Sequence, residues 1–506
     1  MASRPEPHAR GGPGTPPRRL RFAVAGRLPG PLAALLVIVA IFGVAWALIV
    51  PPWQSPDEIE HFAYAQSLAT RLALPGDPQR QPFSGDQLLA DGAVGASSLA
   101  FNVGPVRPDW SAQHYAGYLA QARQHPSQSD GGGPNPQAVN PPLFYLYSDL
   151  AYWAASGSDN AFTRLYAMQL WGVLLLLANV VAAWLLAGEA FGRLRPIQLI
   201  CAAVSGLVPM ETFIATSVSP DAMMVPLWTF ALWLGARVIT RGARGHDAIA
   251  LGAVTGAAIL TKSPSYALVP AVLLALGLGW RRRPGGDRRA AAAALLAALA
   301  ALVVPVLAWV ELTRSIGRSA VNGVSTPFGQ QARPFMVRQF ISYVWQFYLP
   351  RLPSQASFRE VDAYPAYIIW LREGWATFGW LDVLVPAWIY QALGALIALL
   401  GLAAARLVLA VRERRQLELL GFCGLALLAL LGGLHLTDYR SIIAGEGPLL
   451  QGRYLLPVVG LLGLTVALVV RAIPPRWRGP AAGVILVALL LLQVLSLATV
   501  TKVYYT

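Results

Sequence analysis

The chain has 506 residues, 56% of them hydrophobic and only 13% charged, with a mean hydropathy of +0.51. Apolar runs of about 20 residues recur along it, which excludes a water-soluble globule and predicts an all-α polytopic membrane protein. The formal charge of +14 does not point to nucleic acid, because the arginines stand in short clusters between apolar runs and not along one soluble face.

In chain order, Met1–Arg27 is rich in proline and arginine and reads as a disordered, basic cytoplasmic tail ahead of a single membrane domain, 28–506. Leu28–Val50 is the first span. It is too long for a signal-peptide core and lacks a clear small-residue cleavage site, so it reads as a retained anchor. Further spans are expected at Arg164–Ala187, Pro196–Thr216, Asp221–Thr240, Ala248–Leu260, Ser265–Trp280 and Ala290–Leu312. Leu384–Val411, Leu417–Leu436, Leu455–Val470 and Gly479–Val500 complete a bundle of about 11 spans, within a range of about 10–13.

Orientation follows from the connections. With the tail cytoplasmic, alternate connections should be basic, and they are: Arg193 with Arg195, Arg237 to Arg244, Arg281 to Arg289, Arg412 to Arg415, and Arg471 to Arg478. A span at Asn140–Trp153 would place every later basic connection outside. That stretch is therefore read as an interfacial helix near 141–156, with its tyrosines and tryptophan at headgroup level. Two large outer-face loops result, 51–163 and 313–383. The second is dense in rings (Tyr343, Trp345, Phe347, Tyr348, Tyr364, Tyr367, Trp370, Trp375, Phe378, Trp380) that suit either an interfacial belt or a sugar-stacking surface. Cys201 and Cys423 both fall in apolar runs without a CxxC partner and read as packing residues. Lys262 and Lys502 are the only lysines. That bias toward arginine, with abundant Ala, Gly and Pro, suggests a GC-rich bacterial genome, and the expected location is the bacterial cytoplasmic (inner) membrane.

The chemistry gathers where the first span ends, in Ser55-Pro56-Asp57-Glu58-Ile59-Glu60-His61-Phe62. Ionised groups near hydrocarbon are costly, roughly 2.5–3.5 kcal/mol for an Asp at mid-span, so a mere connector has little use for them. Ser55 is expected as an N-cap, Pro56 at the first helical position and Glu58 as the capping-box partner three residues on. Asp57 is then either a first-turn acid favoured by the helix dipole or a working carboxylate. In the second case it serves as general base on a hydroxyl or holds a divalent cation, Mg or Mn, with neighbouring oxygens. His61, one turn on, is placed to share that cation or to orient Asp57. The pattern is not the zinc-protease His-Glu-x-x-His. His435, Asp438 and Arg440 are expected just outside a late span, where they can pair among themselves, with Glu446 a further loose acid.

A first span, a short acidic motif opening a large outer loop and then a Pro-Pro-Leu-aromatic-Tyr segment resembles the GT-C class of integral-membrane glycosyltransferases. The nearer likeness is to the bacterial membrane proteins of domain-of-unknown-function family 2142, through the run Pro52 to Phe62 and the run Gln451-Gly452-Arg453-Tyr454-Leu455-Leu456-Pro457. It extends from about Leu28 to Val500. The resemblance implies a GT-C-like bundle that transfers a sugar on the outer face, usually with inversion, from a polyprenyl-phosphate or -pyrophosphate donor. It assigns Asp57, with Glu58 adjacent, as general base or metal anchor. It also matches Asp221 to a second acid at the outer start of a later span. The expected metal ligands are Asp57 and Asp221.

A donor phosphate needs cationic partners at the outer leaflet. Lys262, at the tip of a hairpin between short spans, and Arg453, whose planar fork suits bidentate phosphate recognition, are the candidates, with Tyr454 beside them and Gln451 and His61 as accessories. The expected partners are a lipid-linked sugar donor, a cell-envelope glycan or lipid acceptor, and membrane lipids. The main alternative is a transporter or flippase of envelope lipid-linked sugars, which would place polar sites near mid-bilayer. Glu189 and Glu311 lie near span ends, which disfavours it, whereas the interrupted Gly206-Leu207-Val208-Pro209 stretch supports it. A catalytically dead envelope scaffold is the third reading.

Overall fold

In a computed structural model the described residues are 28–96, 111–158, 160–282, 288–317 and 334–506. The expected tail, Arg283 of one basic connection and parts of both long loops lie outside them. The first apolar run forms α1 (Gly30–Ile49). The loop after it folds as α2 (Glu58–Arg71), α3 (Gly85–Ala93), α4 (Ala112–Ala122) and α5 (Leu143–Ala154). Next come α6 (Ala161–Phe191), α7 (Arg195–Leu207), α8 (Pro209–Ala215), α9 (Asp221–Arg241), α10 (Gly245–Ile259), α11 (Leu268–Arg281) and α12 (Arg288–Ser315). The second long loop carries α13 (Val337–Tyr348), α14 (Arg359–Ala363), a π-helical turn Tyr367–Glu373, α15 (Gly374–Ala376) and an antiparallel ribbon of β1 (Thr377–Phe378) with β2 (Val383–Leu384). The chain closes with α16 (Ala387–Leu409), α17 (Arg414–Ala444), α18 (Val459–Ala472) and α19 (Pro475–Tyr505).

Among the described residues nine helices are long and apolar enough to cross a membrane, and the α7–α8 pair, bent by 60°, makes a tenth. α10 has 15 residues, short of the ~20 of a straight span, yet it packs along α12 and α9. Each expected span thus has a helical counterpart. The bend falls at Pro209, which lacks an N–H and clashes with the preceding turn. The carbonyls freed there are not orphaned: Asn179 Nδ2 donates to Ser205 O at 2.9 Å, Gln493 on α19 donates to Leu207 O at 3.3 Å and to Thr212 Oγ1 at 2.7 Å, and Trp46 Nε1 donates to Gln493 Oε1 at 2.7 Å. Buried polar side chains meet the backbone demand that lipid cannot. Small residues let the helices close up. A Cβ on Gly252 of α10 would fall 2.0 Å from the Ala298 carbonyl oxygen of α12, so only glycine fits.

The ends of the bundle differ. At one end the basic connections are tied together by Arg237–Asp247, Arg241–Glu189 and Arg282–Glu418 pairs. At the other end α2 and α5 lie against each other, joined by His61 Nδ1···Tyr145 Oη at 2.8 Å, Gln66 Nε2 to Tyr152 Oη at 3.2 Å and Trp153 Nε1 to Ala69 O at 3.1 Å. Beneath them a buried Arg164–Asp86 pair, 2.6 Å apart, stitches α6 to α3.

α17 continues past the expected span end at Leu436 to Ala444, so His435, Asp438 and Arg440 lie on one helix. Tyr343 links the first two, at 3.1 Å from His435 Nδ1 and 2.5 Å from Asp438 Oδ2. Several rings of the second loop serve neither as a belt nor as an open platform. Tyr343, Phe347 and Phe358 pack edge-on about His435 and Tyr439 and seat α13 on α17. Finally, Glu211, overlooked among the span acids, sits in the broken span, buried, with one oxygen 3.2 Å from Asn179 Nδ2.

Candidate active site

Asp57 occupies the turn between α1 and α2 with φ of +61°, a left-handed conformation that Asp tolerates better than most L-residues and that its surroundings hold in place. Those surroundings are explicit. Arg453 Nη1 donates to Pro56 O at 3.2 Å and Nη2 to Asp57 Oδ2 at 2.5 Å. Trp380 of the second loop donates to Trp53 O at 3.0 Å. The expected capping box does not form. Ser55 offers only its carbonyl to Glu58 N, and α2 starts at Glu58 with no side-chain cap. Glu58 turns inward and accepts from Gln169 Nε2 at 3.0 Å and Val218 N at 2.9 Å, so it ties the motif to the 217–221 turn. Burial pushes its carboxyl up to about 7.

That turn presents Asp221, the first residue of α9. Its Oδ1 is 2.7 Å from Lys262 Nζ and its Oδ2 is 3.9 Å from Arg453 Nε. Lys262 is delivered by the α10–α11 hairpin, which is held against the first loop by Leu143 N to Leu260 O at 3.2 Å. Tyr454 lies between the cations, its ring centroid 5.3 Å from Lys262 Nζ and 5.4 Å from Arg453 Cζ. Asp57, Arg453, Asp221 and Lys262 therefore form a chain of alternating charge, drawn from four separate elements at the end of the bundle opposite the arginine-rich connections. The Asp57 side chain is 33% exposed and Arg453 only 2%, so the carboxylate marks the mouth and the guanidinium the floor. Burial raises the Asp57 carboxyl, but Arg453 above all outweighs it, leaving the group below its ordinary value. Arg453 Nε and Asp221 Oδ2 are buried without hydrogen bonds, 3.9 Å apart, so the guanidinium edge keeps an unused donor.

His61 does not orient Asp57 through a hydrogen bond. Its Nδ1 is engaged by Tyr145, and burial pushes its pKa down to about 3, so the ring is neutral. Gln451 has a buried, unpartnered Oε1, and its carbonyl accepts from Tyr454 N. For the expected divalent cation the proposed ligands are Asp57 and Asp221. Asp57 and Asp221 already face basic side chains, and among the described residues no group of three or more His, Cys, Asp or Glu is placed to hold a metal.

The sequence reading missed Glu373, at the end of the π-helical turn. Its Oε2 accepts from Gly452 N at 3.0 Å, and burial raises its carboxyl to about 7. Gly452 makes this approach possible, since a Cβ there would lie 2.2 Å from Gly374 N. No spacing pattern singles out Glu373 among the aromatics around it.

Crystal structures of ArnT from Cupriavidus metallidurans, apo and bound to undecaprenyl phosphate, are similar to this chain at 15% identity, covering 92% of it and 73% of theirs, with TM-scores of 0.45 and 0.43. The archaeal oligosaccharyltransferase AglB from Archaeoglobus fulgidus, in complex with an inhibitory peptide and a dolichol-phosphate, is similar at 12% identity over 93% of this chain and 56% of its own, with a TM-score of 0.41. No curated protein sequence matches. The family model described as predicted membrane protein (DUF2142) matches residues 40–462, and the chain, with its many long apolar helices, belongs to that multi-pass membrane-protein family.

Proposed function

We propose that the protein is a GT-C-type membrane glycosyltransferase that moves a sugar, with inversion, from a polyprenyl-phosphate-type donor to a cell-envelope acceptor on the outer face of the bacterial cytoplasmic membrane. One observation carries the reading: two basic side chains, Arg453 and Lys262, converge with two carboxylates, Asp57 and Asp221, at one end of the bundle, with hydrogen-bonding capacity left over at Arg453 Nε. A cavity of about 380 Å³ lined by Leu143, Leu175, Met223 and Leu227 begins two residues from Asp221 and suits a prenyl chain.

In this mechanism the lipid phosphate takes Arg453 and Lys262 from their carboxylates. Asp57, released from the guanidinium, rises from its depressed value and accepts the proton of the acceptor hydroxyl. The hydroxyl oxygen bonds the anomeric carbon as the bond from that carbon to the phosphate oxygen breaks. The electron pair stays on the phosphate, where the two cations stabilise it. No step passes through a metal.

The test is transfer from a panel of polyprenyl-phosphate sugars by purified protein. Asp57→Asn should lower the rate by about 10²–10⁴, the usual worth of a general base, in protein that still elutes as a folded, monodisperse species on gel filtration, and EDTA should leave the wild type unaffected. Full activity in Asp57→Asn would remove Asp57 from the mechanism. The transporter reading keeps one specific support, the buried Glu211 at a broken span. It would replace the enzyme reading if wild-type protein transferred no sugar yet moved lipid-linked sugar across vesicles, and Glu211→Gln stopped that movement.

A further inference from the structure

A cavity of about 670 Å³ opens at the arginine-rich end of the bundle, far along the chain from Asp57 and its partners. Its walls come from the ends of α6, α16, α17 and α18, and include Phe191, Leu407, Leu420 and Leu468. α16 leans on α18 and the π-helical turn, and only Ile389 and Tyr390 along it are buried, so its lower half stands off from α17 and leaves a wedge open to the surroundings. Within a bilayer such a wedge is filled by hydrocarbon, since leaving it wet would forgo about 25 cal/mol per Å² of apolar surface.

The mouth is chemically specific. Arg412 and Arg471 line it and no acidic residue does. Arg412 reaches the Leu409 and Val411 carbonyls, and Arg471 lies over the Phe191 ring at 5.3 Å. Two guanidiniums at membrane-surface depth above an apolar cleft match a phosphate headgroup above acyl chains. We infer that this groove is a binding site for an anionic phospholipid of the bilayer, with its headgroup phosphate between Arg412 and Arg471 and an acyl chain between α16 and α17. The seated lipid would act as the missing packing partner of α16.

The test is native mass spectrometry of the purified full chain, titrated with phosphatidylglycerol and with phosphatidylcholine of the same acyl composition. The wild type should retain phosphatidylglycerol preferentially. Arg412→Ala and Arg471→Ala should each cut that preference about fivefold. Arg193→Ala/Arg195→Ala, exposed at the same end but outside the groove, should leave it intact. Equal retention of the two lipids by the wild type would overturn the assignment without recourse to any variant. So would an equal loss in the Arg193/Arg195 control, which would mean general attraction to a basic surface.

Discussion

At the residue scale, the motif after the first span divides its labour differently from its capping pattern. Ser-Pro-Asp-Glu reads locally as a helix start, but Glu58 goes to Gln169 and Val218 N, partners more than a hundred residues away, because its burial under α6 and the 217–221 turn outbids a solvent-side cap. This gives a pH signature. Raised in the fold from an ordinary value near 4.5 to about 7, Glu58 contributes stability that is fully present below about 4.5 and lost as pH rises through about 7. His61, depressed from 6.5 to about 3, acts oppositely, its contribution present above 6.5 and lost as pH falls toward 3. The two offset each other in the wild type, so the readout is a difference. The melting temperature of wild type minus that of Glu58→Gln should be larger at pH 5 than at pH 8. A pH-independent difference would mean that Glu58 is not protonated in the fold.

Among the elements, the second outer loop shows most clearly what local pattern leaves open. Its aromatic density was legible, yet the rings of α13 pack into α17, and the segment's reach toward the site rests on a single glycine. Gly452→Ala should cost about 1–3 kcal/mol by overpacking against Gly374 and Glu373. It should also impair any transfer activity, since Arg453 is the next residue. Gly401→Ala, with open space around its Cβ, is the control and should be neutral or slightly stabilising. Thermal unfolding of both variants in one detergent checks this; equal melting temperatures would show that the approach of the π-helical turn is not tight. The same scale explains α7–α8. Pro209 announces a bend, but only the fold shows that Gln493, from the last helix, makes the bend tolerable.

For the whole molecule, orientation remains a matter of charge, and it can be measured. The arginine-rich connections gather at one end and Asp57 at the other, as an N-inside topology requires. Single cysteines in a chain first cleared of Cys201 and Cys423 test it with a membrane-impermeant thiol reagent on intact cells. Ser129→Cys, at an exposed position of the first loop, should label, and Arg195→Cys, at an exposed basic connection, should not. The reverse pattern would put the candidate site on the cytoplasmic side.

The sequence by itself determined the membrane class, the order of the spans and the clustering of arginines in alternate connections, because those depend on run length and on charge counted along the chain. It also singled out Asp57, Lys262 and Arg453, since ionised groups beside hydrocarbon are costly enough to stand out, and the resemblance added Asp221. Only the tertiary structure decided that these four form one alternating cluster, that Glu58 and His61 are withdrawn into buried hydrogen bonds, and that Glu373 approaches through Gly452. Those outcomes depend on which helices meet, which neither local propensity nor linear charge encodes.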